Sequence, residues 1–321
     1  MNYKPILIVH GEPNGIFLEI FFKSLKYKKF KNPLVLICSK KILKFQMKKL
    51  KFKMDIKIIN PSLLNKKRLN NKMINIIDVN YNEDLTFKKI SNKSNQYIKD
   101  CFKTSFKILK SGTTNKLING PISKTSFLNK KFLGITEYLT KEAKANQNAM
   151  LIYNKRLSVC PITTHLPLKS VIKNITKKKI IEKIILLDSF YKNHLGFKPR
   201  IIVLGLNPHC ESVDKFNEDE KIIKPTIKYL SNKKINIKGP YSADTAFLKK
   251  NIENIDIIVG MYHDQVLTPI KTLYEHDAIN ITLGLPFIRI SPDHGPNHKM
   301  LGQNKSNPLS LIRAIEFLEK N

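Results

Sequence analysis

The chain has 321 residues, 42% hydrophobic and 26% charged, with 57 lysines and arginines against 25 aspartates and glutamates for a net charge of +32. That composition excludes a disordered chain, and no apolar run approaches the ~20 residues needed for a helical membrane span. It also argues against a nucleic-acid binder: all but five of the basic residues are lysines, spread along the whole chain rather than clustered with arginines and aromatics.

Taken in order, residues 5–10 form an expected first strand running into the turn GEPNG and a helix over 15–29. The apolar stretch at this end is too short for a secretory signal. Cys38, Cys101, Cys160 and Cys210 are scattered, with no CxxC pair. Neither a disulfide framework nor a thiolate zinc site is expected, and the cytoplasm is the expected compartment. Strands follow at 33–38, 55–60 and 73–78. The lysine-rich stretch 40–72 has the weakest pattern and reads mostly as variable surface. A helix over 91–111 leads to a strand at 115–119 and to Asn119-Gly120-Pro121-Ile122-Ser123-Lys124. That segment is either an ordinary turn or an anion site at a helix start. In Gly134-Ile135-Thr136-Glu137, the Thr136 hydroxyl either binds phosphate or caps a helix. There is no GxGxxG fingerprint.

Strands are expected next at 149–153, 157–163, 200–206, 255–261 and 279–283. A helix over 176–194 has Thr176 as its cap, and another covers 306–319. The alternation argues for βα units and a largely parallel sheet. Three of these strands run into a histidine: His165 in TTHLP, His209 in GLNPHC and His263 in MYHDQ. Ligands bind at the carboxyl ends of strands in such sheets, so three imidazoles could meet there on one catalytic divalent ion with an open position. Asp244 is either a carboxylate near that ion or a helix cap. Arg289, between apolar neighbours in PFIRISP, offers a fork for phosphate or carboxylate, or an ion pair. Asp293-His294-Gly295 begins a polar loop able to wrap an adenosine.

GEPNGI, NGPISK, TTHLPL, GLNPH, GPYSADTAF, MYHDQ and NITLGLPFIRISPDHG occur in one order along nearly the whole chain. In that order the sequence resembles the 4-hydroxythreonine-4-phosphate dehydrogenase family of pyridoxal phosphate biosynthesis. The resemblance implies an α/β fold like the isocitrate and isopropylmalate dehydrogenases, with two α/β/α domains and a cleft between them. The expected division is 1–130 plus 279–321 on the cofactor side and 131–278 for metal, substrate and dimerisation. It implies a homodimer with the active site at its interface, a small phosphorylated amino-acid substrate, and neither nucleic acid nor membrane as partner. His165, His209 and His263 would hold zinc, magnesium or cobalt. Thr136, Lys271, Asn280 and Arg289 would hold the substrate, Lys271 also acting at the reacting oxygens. Asp293, His294 and Gly295 would approach NAD, with NADP as the alternative cofactor.

Departures from the family pattern fall at Phe17 and Leu18, Ile135, Cys210 to Val213, Val266, and Pro296 and Asn297. Ile135 cannot make the hydrogen bond of the histidine usual there. Two other readings follow: a sibling enzyme acting on a phosphorylated four-carbon sugar acid such as 4-phosphoerythronate or threonate, or a catalytically dead binding protein.

Overall fold

The computed structural model describes residues 3–65, 69–83, 89–128, 131–132, 134–292 and 294–321. The chain runs β1 Ile6–Val9, α1 Phe17–Tyr27, β2 Leu34–Cys38, α2 Lys40–Lys49, β3 Ile56–Ile58, β4 Ile74–Asp78, α3 Asn95–Lys110, β5 Lys116–Asn119 and α4 Ile135–Glu142. It continues with β6 Ala149–Tyr153, β7 Ser158–Pro161, α5 Leu168–Val171, α6 Lys177–Phe190, β8 Ile201–Leu204, α7 Lys224–Asn232 and β9 Ile237–Tyr241. It ends with α8 Ala243–Ala246, α9 Lys249–Ile252, β10 Ile257–Gly260, α10 His263–Tyr274, β11 Ile279–Leu283, β12 Ile288–Pro292 and α11 Leu309–Lys320. None of these helices is long and apolar enough to cross a membrane.

The chain divides into two compact units, Met1–Ala143 with Pro286–Asn321, and Lys144–Leu285. These boundaries differ from those expected at 130/131 and 278/279. α4 stays with the first unit because Tyr138 packs edge-on against Phe102 and Phe127, at 5.7 and 5.3 Å between ring centres. β11 goes with the second because it pairs antiparallel with β6, from Ile279↔Tyr153 to Leu283↔Ala149.

In the first unit the strand order is β3-β4-β2-β1-β5-β12, parallel throughout. β1 and β2 are continuous apolar runs buried on both faces, as parallel strands require. The order turns back between β1 and β5, the place where the loops after these strands can form a crevice. The lysine-rich stretch is more structured than its pattern indicates. α2 buries Ile42, Leu43, Gln46 and Met47 on one face and leaves its lysines on the other.

His10, just beyond β1, is fully buried, with Nδ1 2.9 Å from the Tyr97 hydroxyl. Its Nε2 has no hydrogen-bond partner among the described residues. Burial lowers its pKa from 6.5 to about 3. The folded state thus stays neutral while the unfolded state takes up a proton below pH 6.5. Stability is unaffected above that value and falls as the pH drops toward 3, by about 1.4 kcal/mol per pH unit. Urea midpoints between pH 7 and 4.5 should show this slope in the natural protein and lack it in His10→Gln. Equal slopes would rule His10 out as the cause.

In the second unit the order is β11-β6-β7-β10-β8-β9. β11, β6 and β7 alternate in direction, whereas β7, β10, β8 and β9 are parallel. The expected parallel arrangement thus gives way at β6. The runs IIVL and IIVG form β8 and β10, buried throughout. α6 begins as expected, Thr176 accepting a hydrogen bond from the Lys179 amide at 3.3 Å.

Candidate functional site

Because β7, β10, β8 and β9 are consecutive parallel neighbours, the turns after them stand side by side at one edge of the sheet. In spatial order these turns carry His165, His263, His209 and Asp244. His263 is the first residue of α10, His209 lies in the short helical turn Pro208–Cys210, and Asp244 is the second residue of α8.

The rings of His165 and His263 lie 5.5 Å apart, tilted by 42°. Two imidazoles on one tetrahedral ion, with metal–nitrogen distances near 2.0–2.1 Å, would put their ring centres roughly 5 Å apart. The pair therefore fits as a two-nitrogen corner for a divalent ion. His263 Nδ1 is 2.6 Å from the Asp264 carboxylate, which leaves Nε2 to point elsewhere. The sequence expectation that all three imidazoles meet is not met within one chain: no group of three His, Cys, Asp or Glu side chains suited to a metal occurs among the described residues. His209 is exposed, with Nδ1 3.5 Å from the Ser242 hydroxyl. The reason lies in its turn, where His209 and Cys210 have φ of 54° and 62°, left-handed values that direct the loop toward Ser242. A hydrogen bond with Ser242, and to a smaller extent the charge of His209, lowers the pKa of the exposed Asp244 carboxyl.

The residues expected to hold substrate fall in both units. In the first, Arg289 on β12 is fully buried and donates from Nε to Asn119 Oδ1 on β5, at 2.6 Å. Burial lowers its pKa to about 9 against the opposing pull of Glu137. Thr136 sits beside Glu137 in the first turn of α4, buried, its carbonyl accepting from the Thr140 hydroxyl at 2.7 Å. Gly134 occupies the cap position, so Thr136 is not the cap. Ile135 is half-buried at the start of the same helix. In the second unit, Lys271 is half-buried in the last turn of α10. Asn280 lies on β11 with a buried Oδ1 that has no hydrogen-bond partner among the described residues. Of the expected cofactor loop, Asp293 lies outside the described residues. His294 and Gly295 follow β12, and the next carbonyl, Pro296, accepts from the Ile16 amide at 3.1 Å.

A family model for the pyridoxal phosphate biosynthetic protein PdxA matches residues 29–318. The chain belongs to the PdxA family. Among curated PdxA-like relatives, it is 39% identical to 4-hydroxythreonine-4-phosphate dehydrogenase of Sulfurihydrogenibium sp., over 97% of this chain and 96% of that one. It is 30% identical to D-threonate 4-phosphate dehydrogenase of Pectobacterium atrosepticum, over 98% of each. The crystal structure of 4-hydroxythreonine-4-phosphate dehydrogenase from Klebsiella pneumoniae superposes with a TM-score of 0.82 at 28% identity, covering 98% of this chain and 96% of that one. A β-decarboxylating dehydrogenase from Thermococcus kodakarensis shares the fold alone, with a TM-score of 0.53 at 12% identity over 98% and 82% of the two chains.

Three of the departing residues, Phe17, Leu18 and Val266, fall in the core. Phe17 and Leu18 are fully buried at the start of α1. Val266 is fully buried in the apolar cluster with Ile258, Leu267 and Ile270 beneath the histidine turns. Nothing in the structure explains Ile135.

Proposed function

We propose that this chain is a 4-hydroxythreonine-4-phosphate dehydrogenase, oxidising 4-phosphohydroxy-L-threonine at C3 with loss of CO2 to give 3-amino-2-oxopropyl phosphate. The observation that carries this reading is the row of histidine-bearing turns at the ends of β7, β10 and β8, in a chain that matches PdxA from residue 29 to residue 318. A divalent ion (zinc, magnesium or cobalt) would supply Lewis acidity at the substrate's C3 hydroxyl, and NAD, or NADP in its place, would accept the hydride.

The protein's part is holding and charge compensation. His165, His209 and His263 would hold the ion. The pairing of His165 and His263 at 5.5 Å supports this, and a second copy of the chain, in the homodimer the resemblance implies, would complete the site. Arg289 and Thr136 would hold the substrate's anionic groups, and the buried Asn280 Oδ1 would accept a hydrogen bond from it. Lys271 would compensate negative charge at the reacting oxygens. The oxidation product is a β-keto acid whose ketone takes up the electron pair released with CO2. Asp293, His294 and Gly295 would meet the adenosine half of the cofactor. The first unit is assigned to the cofactor and carries Thr136 and Arg289 for the substrate, the second is assigned to metal, substrate through Lys271 and Asn280, and dimerisation, and the cytoplasm is the proposed compartment.

The 30% identity to D-threonate 4-phosphate dehydrogenase, with Ile135 in a predicted substrate-contact segment, favours a phosphorylated sugar acid as the second reading. NADH formation measured with both substrates, before and after chelation and zinc restoration, separates the two. Metal-dependent turnover on 4-phosphohydroxy-L-threonine is expected. Equal or greater turnover on the sugar acid would replace the first reading with the second. No turnover on either, in metal-loaded protein, would point to a non-catalytic binding protein.

A further inference from the structure

The turns carrying His165, His263 and His209 are tied to one another by side chains that are not themselves expected ligands. Between the first two, the Thr163 hydroxyl and amide both donate to the Met261 carbonyl, at 2.7 and 3.2 Å. Between the second and third, Gln265 does the work of a bridge. Its Oε1 accepts from the Met261 amide at 2.7 Å, and its Nε2 donates to the Gly205 carbonyl at 2.8 Å. Met261 lies two residues before His263, and Gly205 four before His209. Gly260 leaves room for this bridge, since a Cβ there would stand 2.5 Å from Val266 and 2.9 Å from Gln265 Oε1.

Beyond Gly205 the His209 turn is fixed from a third direction. Asp219, fully buried, accepts from the Leu206 amide at 2.7 Å, the Asn207 amide at 3.0 Å and the Asn207 side chain at 2.9 Å. These donors are uncharged, and among the described residues Asp219 has no basic partner. Two consecutive non-glycine residues with positive φ cost about 1–2 kcal/mol each and persist only where the surroundings over-determine them. The three bonds to Asp219 provide that determination. A buried carboxylate is costly unless its oxygens are hydrogen-bonded, and these three donors supply that compensation.

We propose that Gln265 and Asp219 are positioning residues which hold the His209 turn in fixed register with the His263 turn, so that His263 is preset opposite His165 for a divalent cation and His209 is preset outward for the site that a second copy of the chain completes. The inference rests on the metal-site reading above and extends it to residues that bind neither ion nor substrate.

The test uses Co2+ as probe on the full-length, metal-free protein, comparing the natural chain with Gln265→Met, Asp219→Asn and His165→Ala. Co2+ affinity, amide hydrogen exchange over 205–211 and melting temperature are measured for each. Loss of such supporting partners typically weakens metal affinity 10–100-fold. That loss is expected for Gln265→Met and Asp219→Asn, together with faster exchange at Leu206 and Asn207 in the absence of metal. A purely structural role would lower the melting temperature and leave the Co2+ affinity of the folded variants unchanged. Unchanged affinity in both, with affinity lost in His165→Ala, would overturn this inference alone. Unchanged affinity in His165→Ala would remove the metal site and this inference with it. Asp219→Asn keeps the side-chain volume and serves if Gln265→Met fails to fold.

Discussion

Alanine at His263 is expected to lower NADH formation on the order of a thousandfold, while metal-free protein melts within a degree or two of the natural chain. The first effect follows from losing one of the two imidazoles that already face each other, 5.5 Å apart, at the carboxyl edge of the sheet. Removing one preorganised electrostatic group from an active site costs about 10²–10³-fold, and a lost ligand adds weakened occupancy to that. The second effect follows from burial. The His263 side chain is 33% exposed and the Asp264 carboxylate beside it is 79% exposed, so truncation opens no cavity and strands no buried charge. Raising Zn2+ should restore part of the turnover if occupancy is limiting. Full activity in this variant would exclude His263 from the site.

Methionine at Arg289 should separate binding from folding. Arg289 is fully buried, and desolvation lowers its pKa to about 9 despite Glu137 nearby. Holding a cation there works against stability. Its removal returns that cost and sets against it a lost bond to Asn119 Oδ1, a buried acceptor left unsatisfied at about 1–3 kcal/mol. The two contributions oppose each other, so the unfolding free energy should change by less than about 2 kcal/mol. An arginine fork on a phosphate or carboxylate makes two charge-assisted bonds, each worth about 1.5–3 kcal/mol. KM for the phosphorylated substrate should therefore rise on the order of 10²–10⁴-fold. If stability collapses and KM stays put, Arg289 is a structural partner of Asn119 and Glu137, and anion binding belongs to other residues.

The strands that position the histidines were legible because IIVL and IIVG are buried on both faces, and buried parallel strands are written as continuous apolar runs. β9 and β12 were not legible. IKGPY contains a glycine and a proline on an edge strand, and IRISP carries an arginine and a proline inside a buried one. α2 was hidden by lysines that outnumber its apolar face, although that face packs as in any amphipathic helix. At the site, residue types and strand-end context located the three histidines. They could not reveal that the left-handed backbone at His209 and Cys210 separates one imidazole from the other two. Gln265 lies inside a recognisable motif, but its second partner, Gly205, is 60 positions away. Asp219 carries no local signal at all, since its role appears only when the chain returns to the turn it left twelve residues earlier.

β12 also governs the order in which the molecule can assemble. Its register with β5, Lys116↔Ile288 to Ile290↔Ile118, joins positions some 170 residues apart in the chain. Between them lies the whole second unit, a contiguous segment that carries β6 to β11. Closing so long a loop costs little more than closing one half its length, since the entropy grows only with the logarithm. The delay is in time. A nascent chain emerging from the ribosome presents the edge of β5, with the apolar Leu117 and Ile118, long before the strand that covers it has been made. The second unit can fold while the first waits, and throughout that interval an unpaired strand edge invites pairing with another chain. Translation speed and chaperone capture between residues 119 and 288 therefore bear on how much of this protein reaches its native state.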